Sequence, residues 1–145
     1  MGVRAESRAG TTAAILASAR RAIAEGGAGA LSMRAVAREL GMVSSAIYRY
    51  FPTREAVITA MVLESYAHLA AELEAVDKLD AVDKEAAGER WRLLAARMRS
   101  WALASPHEFR LIYGTPIPGY VAPKDTIPAA EAVVRPFLEA GGMSR

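Results

Sequence analysis

Residues 31–54, LSMRAVARELGMVSSAIYRYFPTR, predict two short helices joined by a glycine turn. Ser32 is a suitable N-cap for the first helix, because its hydroxyl can accept a hydrogen bond from an unpaired backbone N–H. Gly41 suits the left-handed position that commonly follows a helix. Ser44 can open the second helix, and Pro52 ends it because proline has no backbone N–H to donate. Two helices of roughly eight residues around such a turn form a helix-turn-helix, whose second helix can enter the DNA major groove.

The longer tract AVARELGMVSSAIYRYFPTREAV resembles the DNA-binding segment of the TetR family of bacterial transcriptional repressors. The residues that match the family pattern are Gly41, Ile47, Tyr48, Tyr50, Phe51, Pro52, Arg54 and Glu55. Val43 departs from the pattern, because the family often has a small polar cap there, which is either replaced by Ser44 or weakened here. The resemblance implies an all-α fold, with a helix-turn-helix domain at residues 1–52 that continues through a long linking helix. A helical ligand-binding and dimerisation domain is expected at residues 53–145.

The resemblance also implies which side chains contact DNA. Tyr50 and Arg54 are expected to reach phosphates, and Arg34 is expected to approach from the preceding helix. Serine can bond donors or acceptors on base edges, and Ala46 can touch a thymine methyl group. Ile47 and Phe51 are expected in the core, whereas Arg38 and Arg49 fit solvent as well as they fit DNA. The full predicted set is Arg34, Ser44, Ser45, Ala46, Tyr48, Arg49, Tyr50 and Arg54.

Charge and composition agree with a DNA-binding protein and oppose several other classes. Residues 1–58 contain eight arginines and four acidic residues, a net of +4, whereas residues 59–145 contain ten basic and twelve acidic residues, a net of −2. Positive charge therefore accompanies the helix-turn-helix, as phosphate binding requires. The chain has no cysteine and two histidines, so neither a disulfide nor a metal site is expected. Without an uncharged run of about 18 residues or a signal peptide, we expect a cytoplasmic protein without a membrane segment.

Helical periodicity and turn residues divide the rest of the N-terminal half. Residues 1–10 are expected to form a mobile arm, with a first helix capped by Thr11 or Thr12 and ending near Glu25. This helix is predicted to cover Leu31, Val36, Leu40, Ile47 and Phe51. Thr53 should cap a long helix from Arg54 to about Val76, with His68 on its exposed face. Residues 77–89 are either a loop or the first turns of the next helix.

The C-terminal half shows a second resemblance. Trp91, Leu94, Met98 and Trp101 recur at helical spacing, and Ser105-Pro106-His107-Glu108 is a capping-box start for a helix ending at Gly114. Residues 115–128 contain four prolines and predict a loop, followed by a helix from about Ala129 to Ala140. The order Trp101, His107, Gly114 resembles the WHG regulatory domain of the TetR family. That resemblance implies a cavity for a small apolar ligand, whose candidate lining residues are Trp91, Met98, Trp101, His107, Phe109, Leu111, Ile112, Tyr113 and Tyr120. The alternative is a plain core, which is the more common role of a Trp, Met and Leu stripe at helical spacing.

These features predict a homodimeric repressor that binds a palindromic double-stranded DNA operator and is released by the ligand, without a cofactor. An enzyme is not expected, since the sequence has no phosphate loop, nucleophile elbow or metal-ligand spacing. The alternative is a TetR-like helical interaction module that acts through protein contacts. TetR-like proteins typically have two further C-terminal helices that form the dimer interface, so this chain is shorter than the family norm. Dimerisation through another surface, weak pairing and a shortened form all remain open.

Overall fold

The computed structural model describes residues 2–79 and 87–142, and in these ranges every regular element is helical. The helices are α1 (Val3–Gly26), α2 (Met33–Glu39), α3 (Ser44–Ile47), α4 (Arg54–Asp77), α5 (Ala87–Ala104), α6 (Pro106–Tyr113) and α7 (Ile127–Ala140). Short 3-10 turns lie at Ala28–Ala30 and Lys124–Thr126. The all-α prediction is confirmed. Residues 77–89 were predicted as either a loop or the first turns of a helix. Asp77 is the last residue of α4 and residues 87–89 belong to α5, whereas residues 80–86 lie outside the described residues.

The chain forms two compact units. The first contains the residues up to Met61 together with Pro116–Val121, and the second contains Val62–Thr115 and the residues from Ala122 onwards. The division falls within α4. The predicted boundary at residue 53 corresponds to the start of that helix.

The core of the first unit forms where α1, α2, α3 and the start of α4 meet. Leu31, Val36, Ile47 and Phe51 are buried there, as predicted, whereas Leu40 is only half-buried. The other buried apolar residues of this unit are Ile15, Leu16, Ala19, Met33, Ala37, Val57, Ile58 and Met61. The core of the second unit contains Leu69, Leu73, Val76, Leu94, Trp101, Val133 and Ala140.

The mobile arm predicted for residues 1–10 is wrong for the described residues, because α1 begins at Val3. Thr11 and Thr12 were expected to cap the helix from outside. Their hydroxyls instead donate to the Ser7 and Arg8 carbonyls at 3.0 and 2.9 Å, four residues back. Hydroxyl side chains can form this bond inside a helix as readily as they cap one, so the local sequence did not distinguish the two positions.

Helix α3 begins at Ser44, as predicted, and its N-cap is Val43 without a capping bond, which is the weakened cap and not its replacement by Ser44. The helix is shorter than predicted, with four α-helical residues rather than about eight. Ser105 is the N-cap of α6 but its side chain makes no capping bond, and Glu108 contacts His68 instead of closing the box. The starts at Ser32 and Thr53 are confirmed, with Ala35 N–H donating to Ser32 Oγ at 3.2 Å and Ala56 N–H to Thr53 Oγ1 at 3.0 Å.

Helix α4 is the one helix in the described ranges with the length and mean hydropathy of a membrane span. Its residues Val57, Ile58, Met61, Leu69 and Leu73 are fully buried inside the protein. Burial of this kind is expected for the central helix of a globular fold, so length and hydropathy do not indicate a membrane segment here.

Candidate nucleic-acid interface

The turn between α2 and α3 is fixed by backbone geometry. Gly41 has φ +68°, the left-handed region that glycine adopts without strain. Its N–H donates to the Arg38 carbonyl at 3.2 Å, and Met42 N–H donates to the Ala37 carbonyl at 2.8 Å. These two bonds are those of a Schellman motif, which satisfies carbonyls at a helix end. The predicted role of Gly41 is confirmed.

Helix α3 is anchored on one side and open on the other. Ile47 is fully buried, and Phe51 just beyond the helix is 8% exposed. Ser44, Ser45 and Tyr48 lie on the exposed side, and half of the Tyr48 surface is accessible. A helix that recognises base edges in a DNA groove must present polar side chains on one side while its other side is held in the core. Helix α3 has both features.

The other predicted DNA-binding residues are either exposed or half-buried. Arg34 on α2 and Arg49 after α3 are exposed, and Ala46 and Tyr50 are half-buried. Arg54, at the start of α4, is also half-buried. The structure therefore places Ser44, Ser45 and Tyr48 on one surface, with Arg34 and Arg49 on adjoining elements.

Arg54 has a structural function that the sequence did not indicate. Its Nε donates to the Leu31 carbonyl at 3.1 Å and its Nη2 to the Ala28 carbonyl at 2.6 Å. Both acceptors lie in the segment that joins α1 to α2, where backbone carbonyls have few helical donors. The guanidinium therefore holds this segment against the start of α4, whether or not it also contacts a phosphate.

Glu39 joins α1 to α2. Its carboxylate accepts from Ser18 Oγ and from the Arg21 guanidinium, both on α1. The hydrogen bond from Ser18, then the bond and charge of Arg21, lower the pKa of the Glu39 carboxyl group. Helix α1 is thereby fixed against the helix that precedes the turn.

Arg8 is the residue near α3 that sequence analysis missed. Its Nη2 donates to the Arg49 carbonyl at 3.0 Å, and its guanidinium carbon lies 4.9 Å from the Tyr50 ring centroid. The error follows from the predicted arm, because a residue in a mobile segment was not expected to have a fixed partner. A helical signal was present in the sequence, since residues 3–26 contain eight alanines, the strongest helix former, and no proline.

The predicted ligand-binding residues are separated into several groups. Trp101 is buried in the core of the second unit, with Met98, Phe109 and Ile112 packed against it. Tyr113 lies beside Phe109 and Tyr66, with ring centroids at 5.5 and 6.3 Å, and its burial, then Tyr66, raise the pKa of its hydroxyl. His107 is exposed and Leu111 is half-buried.

Trp91 and Tyr120 lie elsewhere. Trp91 packs edge-on to Phe137 at 5.3 Å between centroids and is 48% exposed. The Tyr120 hydroxyl shares a hydrogen bond of 2.9 Å with Thr59 Oγ1 in the first unit. The predicted set is therefore not a single group of side chains.

Ion pairs connect the helices of the second unit. Arg90 donates to both carboxylate oxygens of Asp77 at 2.9 and 3.0 Å and contacts Glu139 at 3.4 Å, and the bonds to Asp77 are the main cause of the raised pKa of this guanidinium. His68 is exposed, as predicted, and its Nδ1 lies 2.8 Å from Glu108 Oε1. In the described ranges no group of three or more His, Asp or Glu side chains is arranged to hold a metal ion.

Comparison with known proteins gives two family matches. Residues 15–61 match the profile of the bacterial regulatory proteins of the tetR family, and residues 91–143 match that of the tetracyclin repressor-like C-terminal domain. The helix-turn-helix-type transcriptional regulator Rv1816 of Mycobacterium tuberculosis (strain ATCC 25618 / H37Rv) is 37% identical over an alignment of 145 residues, and the alignment covers 97% of this chain. The chain spans 59% of that relative's length.

Solved structures share the fold over most of the chain. The candidate regulatory protein SCO4313 matches with a TM-score of 0.84 and 35% identity, covering 97% of this chain and 66% of that one. A Rhodococcus sp. RHA1 protein of unknown function matches with a TM-score of 0.71 and 29% identity, covering 90% of this chain and 68% of that one. The two profiles lie in the order that the sequence predicted, on the helices that the structure shows. The chain therefore belongs to the TetR family of bacterial regulatory proteins.

Proposed function

We propose that this chain is a sequence-specific DNA-binding regulator of transcription, acting as a repressor in the cytoplasm. The observation that carries the proposal is the exposed surface of Ser44, Ser45 and Tyr48 on a helix anchored by Ile47 and Phe51. The net charge of +4 over residues 1–58 adds the attraction that phosphate binding needs. TetR proteins are not enzymes, so the enzyme class is excluded.

The exposed residues divide by chemistry into two roles. Ser44, Ser45 and Tyr48 present hydroxyls and an aromatic ring to base edges, with Ala46 available to a thymine methyl group. Arg34, Arg49, Tyr50 and Arg54 supply donors for phosphate oxygens, which fix the register of the protein on the duplex. On this assignment the residues up to 52, together with Arg54 at the start of α4, contact DNA, and the helices from residue 53 onwards regulate that binding.

The competing proposal is a helical interaction module that acts through protein contacts without binding an operator. The two proposals differ in their dependence on salt. DNA binding releases condensed counterions, so its affinity falls steeply as the salt concentration rises, whereas a largely apolar protein contact changes little.

The test of DNA binding is selection from a random pool of duplexes, followed by salt titration of the enriched sequence. We expect a two-fold symmetric site with half-sites roughly 34–36 Å apart, and a linear loss of log affinity with log salt. A shuffled duplex of the same composition is the matched control. Failure to enrich any sequence, together with salt-independent binding to a protein partner, would support the interaction module instead.

We also propose a homodimer, because a two-fold symmetric site is read by a two-fold symmetric protein. Ile127, Val134 and Leu138 on α7 are about half exposed and lie on one side of the helix, which supports an apolar contact in the second unit. Sedimentation of the full chain with and without the enriched duplex measures the stoichiometry directly. One protomer on each symmetric site would overturn this proposal.

We further propose a WHG-type C-terminal domain that releases DNA when a small apolar molecule binds near Trp101, Phe109 and Tyr113. Trp101 lies in an apolar cluster with Met98 and Phe109 beside it, which suits an organic ligand.

Ligand regulation predicts reciprocal coupling. Trp91 and Trp101 are the two tryptophans of the chain, so their fluorescence reports binding in the second unit. A regulatory ligand should bind more weakly, by roughly 5- to 150-fold, when the enriched duplex is present. Trp91→Phe removes the exposed reporter and leaves the buried one. If a ligand binds equally well with and without DNA, the binding site exists but does not regulate DNA binding. If no compound of an apolar library changes the tryptophan fluorescence, these residues are core.

A further inference from the structure

Helix α3 has few local features that fix its ends. It contains four α-helical residues, and its N-cap, Val43, has no side chain able to accept a hydrogen bond. At the other end the chain leaves α3 through a turn, in which the N–H groups of residues 49–51 donate to the Ala46 and Ile47 carbonyls at 3.0–3.2 Å. Pro52 has no N–H and cannot continue this series of bonds. So short a helix needs tertiary contacts to hold one orientation.

Arg8, on α1, supplies such a contact at the C-terminal end of α3. One guanidinium contacts two successive residues, donating from Nη2 to the Arg49 carbonyl at 3.0 Å and lying 4.9 Å from the Tyr50 ring centroid. A planar guanidinium can donate from its edge while its face lies on an aromatic ring. A cation is also favourable at this end, where the helix dipole is negative.

We propose that Arg8 is a positioning residue for DNA recognition: from α1 it caps the turn of residues 48–50 at the C-terminal end of α3, and so fixes the surface of Ser44, Ser45 and Tyr48. The inference rests on the proposed DNA-binding function and names a residue that orients the reading helix without contacting a base. A helix already held in its binding orientation loses less conformational entropy on the duplex. Arg8 therefore contributes more to the affinity for a matched sequence than to the affinity for unrelated DNA.

Hydrogen exchange in the free protein tests the cap without DNA. We expect Arg8→Ala to speed amide exchange at residues 44–51 by at least roughly tenfold, the effect of losing a hydrogen bond from a charged donor, while α4 is unchanged. Arg4→Ala is the matched control, because Arg4 is exposed one turn earlier and its side chain has no hydrogen bond or ion pair with the described residues. Unchanged exchange at residues 44–51 in Arg8→Ala would overturn the cap.

Arg8→Lys separates geometry from charge. Lysine keeps the positive charge but its compact ammonium cannot donate to the Arg49 carbonyl and cover the Tyr50 ring with one planar group. We expect exchange at residues 44–51 between that of the wild type and that of Arg8→Ala. Exchange equal to the wild type would show that charge alone acts here and would overturn the geometric assignment.

DNA titration tests the consequence for recognition. Arg8→Ala should lower the affinity for the duplex enriched by selection by at least roughly tenfold more than the affinity for its shuffled control, with an unchanged salt slope. An equal loss on both duplexes, with a slope shallower by about one, would make Arg8 a phosphate contact rather than a positioning residue. If the wild-type chain enriches no sequence, the proposed function fails, and the exchange experiment still decides whether Arg8 caps α3.

Discussion

Replacing Arg54 by alanine is expected to lower the free energy of unfolding by about 3 kcal/mol. The substitution removes the two hydrogen bonds that a charged, half-buried guanidinium donates to the Leu31 and Ala28 carbonyls. Both carbonyls would then lose a strong donor in the segment between α1 and α2. The loss should fall on the first unit, because Arg54, Leu31 and Ala28 all belong to it.

Chemical denaturation followed by circular dichroism measures the effect. Arg38→Ala is the matched control, since Arg38 is an exposed arginine of the same unit whose side chain has no hydrogen bond or ion pair with the described residues. It should change stability by less than about 0.5 kcal/mol. A comparably small change for Arg54→Ala would mean that its two hydrogen bonds contribute nothing in solution.

Arg54 was also predicted to contact a phosphate, and the same variant separates the two roles. Under conditions where Arg54→Ala is fully folded, loss of a phosphate contact should weaken binding uniformly across sequences and make the salt slope shallower by about one. An unchanged slope in the folded variant would leave Arg54 a purely structural residue.

Replacing Tyr48 by alanine is expected to reduce affinity for the enriched duplex by about tenfold to a hundredfold, the range of one good base or phosphate contact. Half of the Tyr48 side chain is exposed, and the anchors of α3 are the neighbouring Ile47 and Phe51. Stability should therefore change by less than about 1 kcal/mol, so the loss is one of recognition rather than of folding.

Gel-shift titration measures the affinity, and circular dichroism confirms the helical content. Leu103→Ala is the control, because it truncates a large side chain that is 66% exposed in the second unit. Tyr48→Phe tests the hydroxyl alone. Wild-type affinity in Tyr48→Ala, with wild-type helicity, would remove Tyr48 from the interface and with it the central residue of the proposed reading surface.

The sequence alone determined the helical elements whose signals are local. Gly41 ends α2 because glycine adopts a positive φ without strain, and the structure has it at +68°. Thr53 caps α4 through a bond within three residues. The burial of Ile47 and Phe51 also follows from a local signal, the helical spacing of apolar residues in the sequence. Each of these features depends on neighbours within one or two helical turns, which the sequence displays directly.

Only the tertiary structure decided where long polar side chains find their partners. Glu108 can close a capping box three residues from Ser105, yet it contacts His68, 40 residues away. Arg54 reaches carbonyls 23 and 26 residues back, and Arg8 reaches a carbonyl 41 residues ahead. A flexible charged side chain has several local partners of similar energy, whereas the choice among distant ones depends on which backbones the packed core brings within reach. Burial of the apolar residues was therefore readable from the sequence, but the polar contacts that fix α3 exist only after α1, α3 and α4 have packed together.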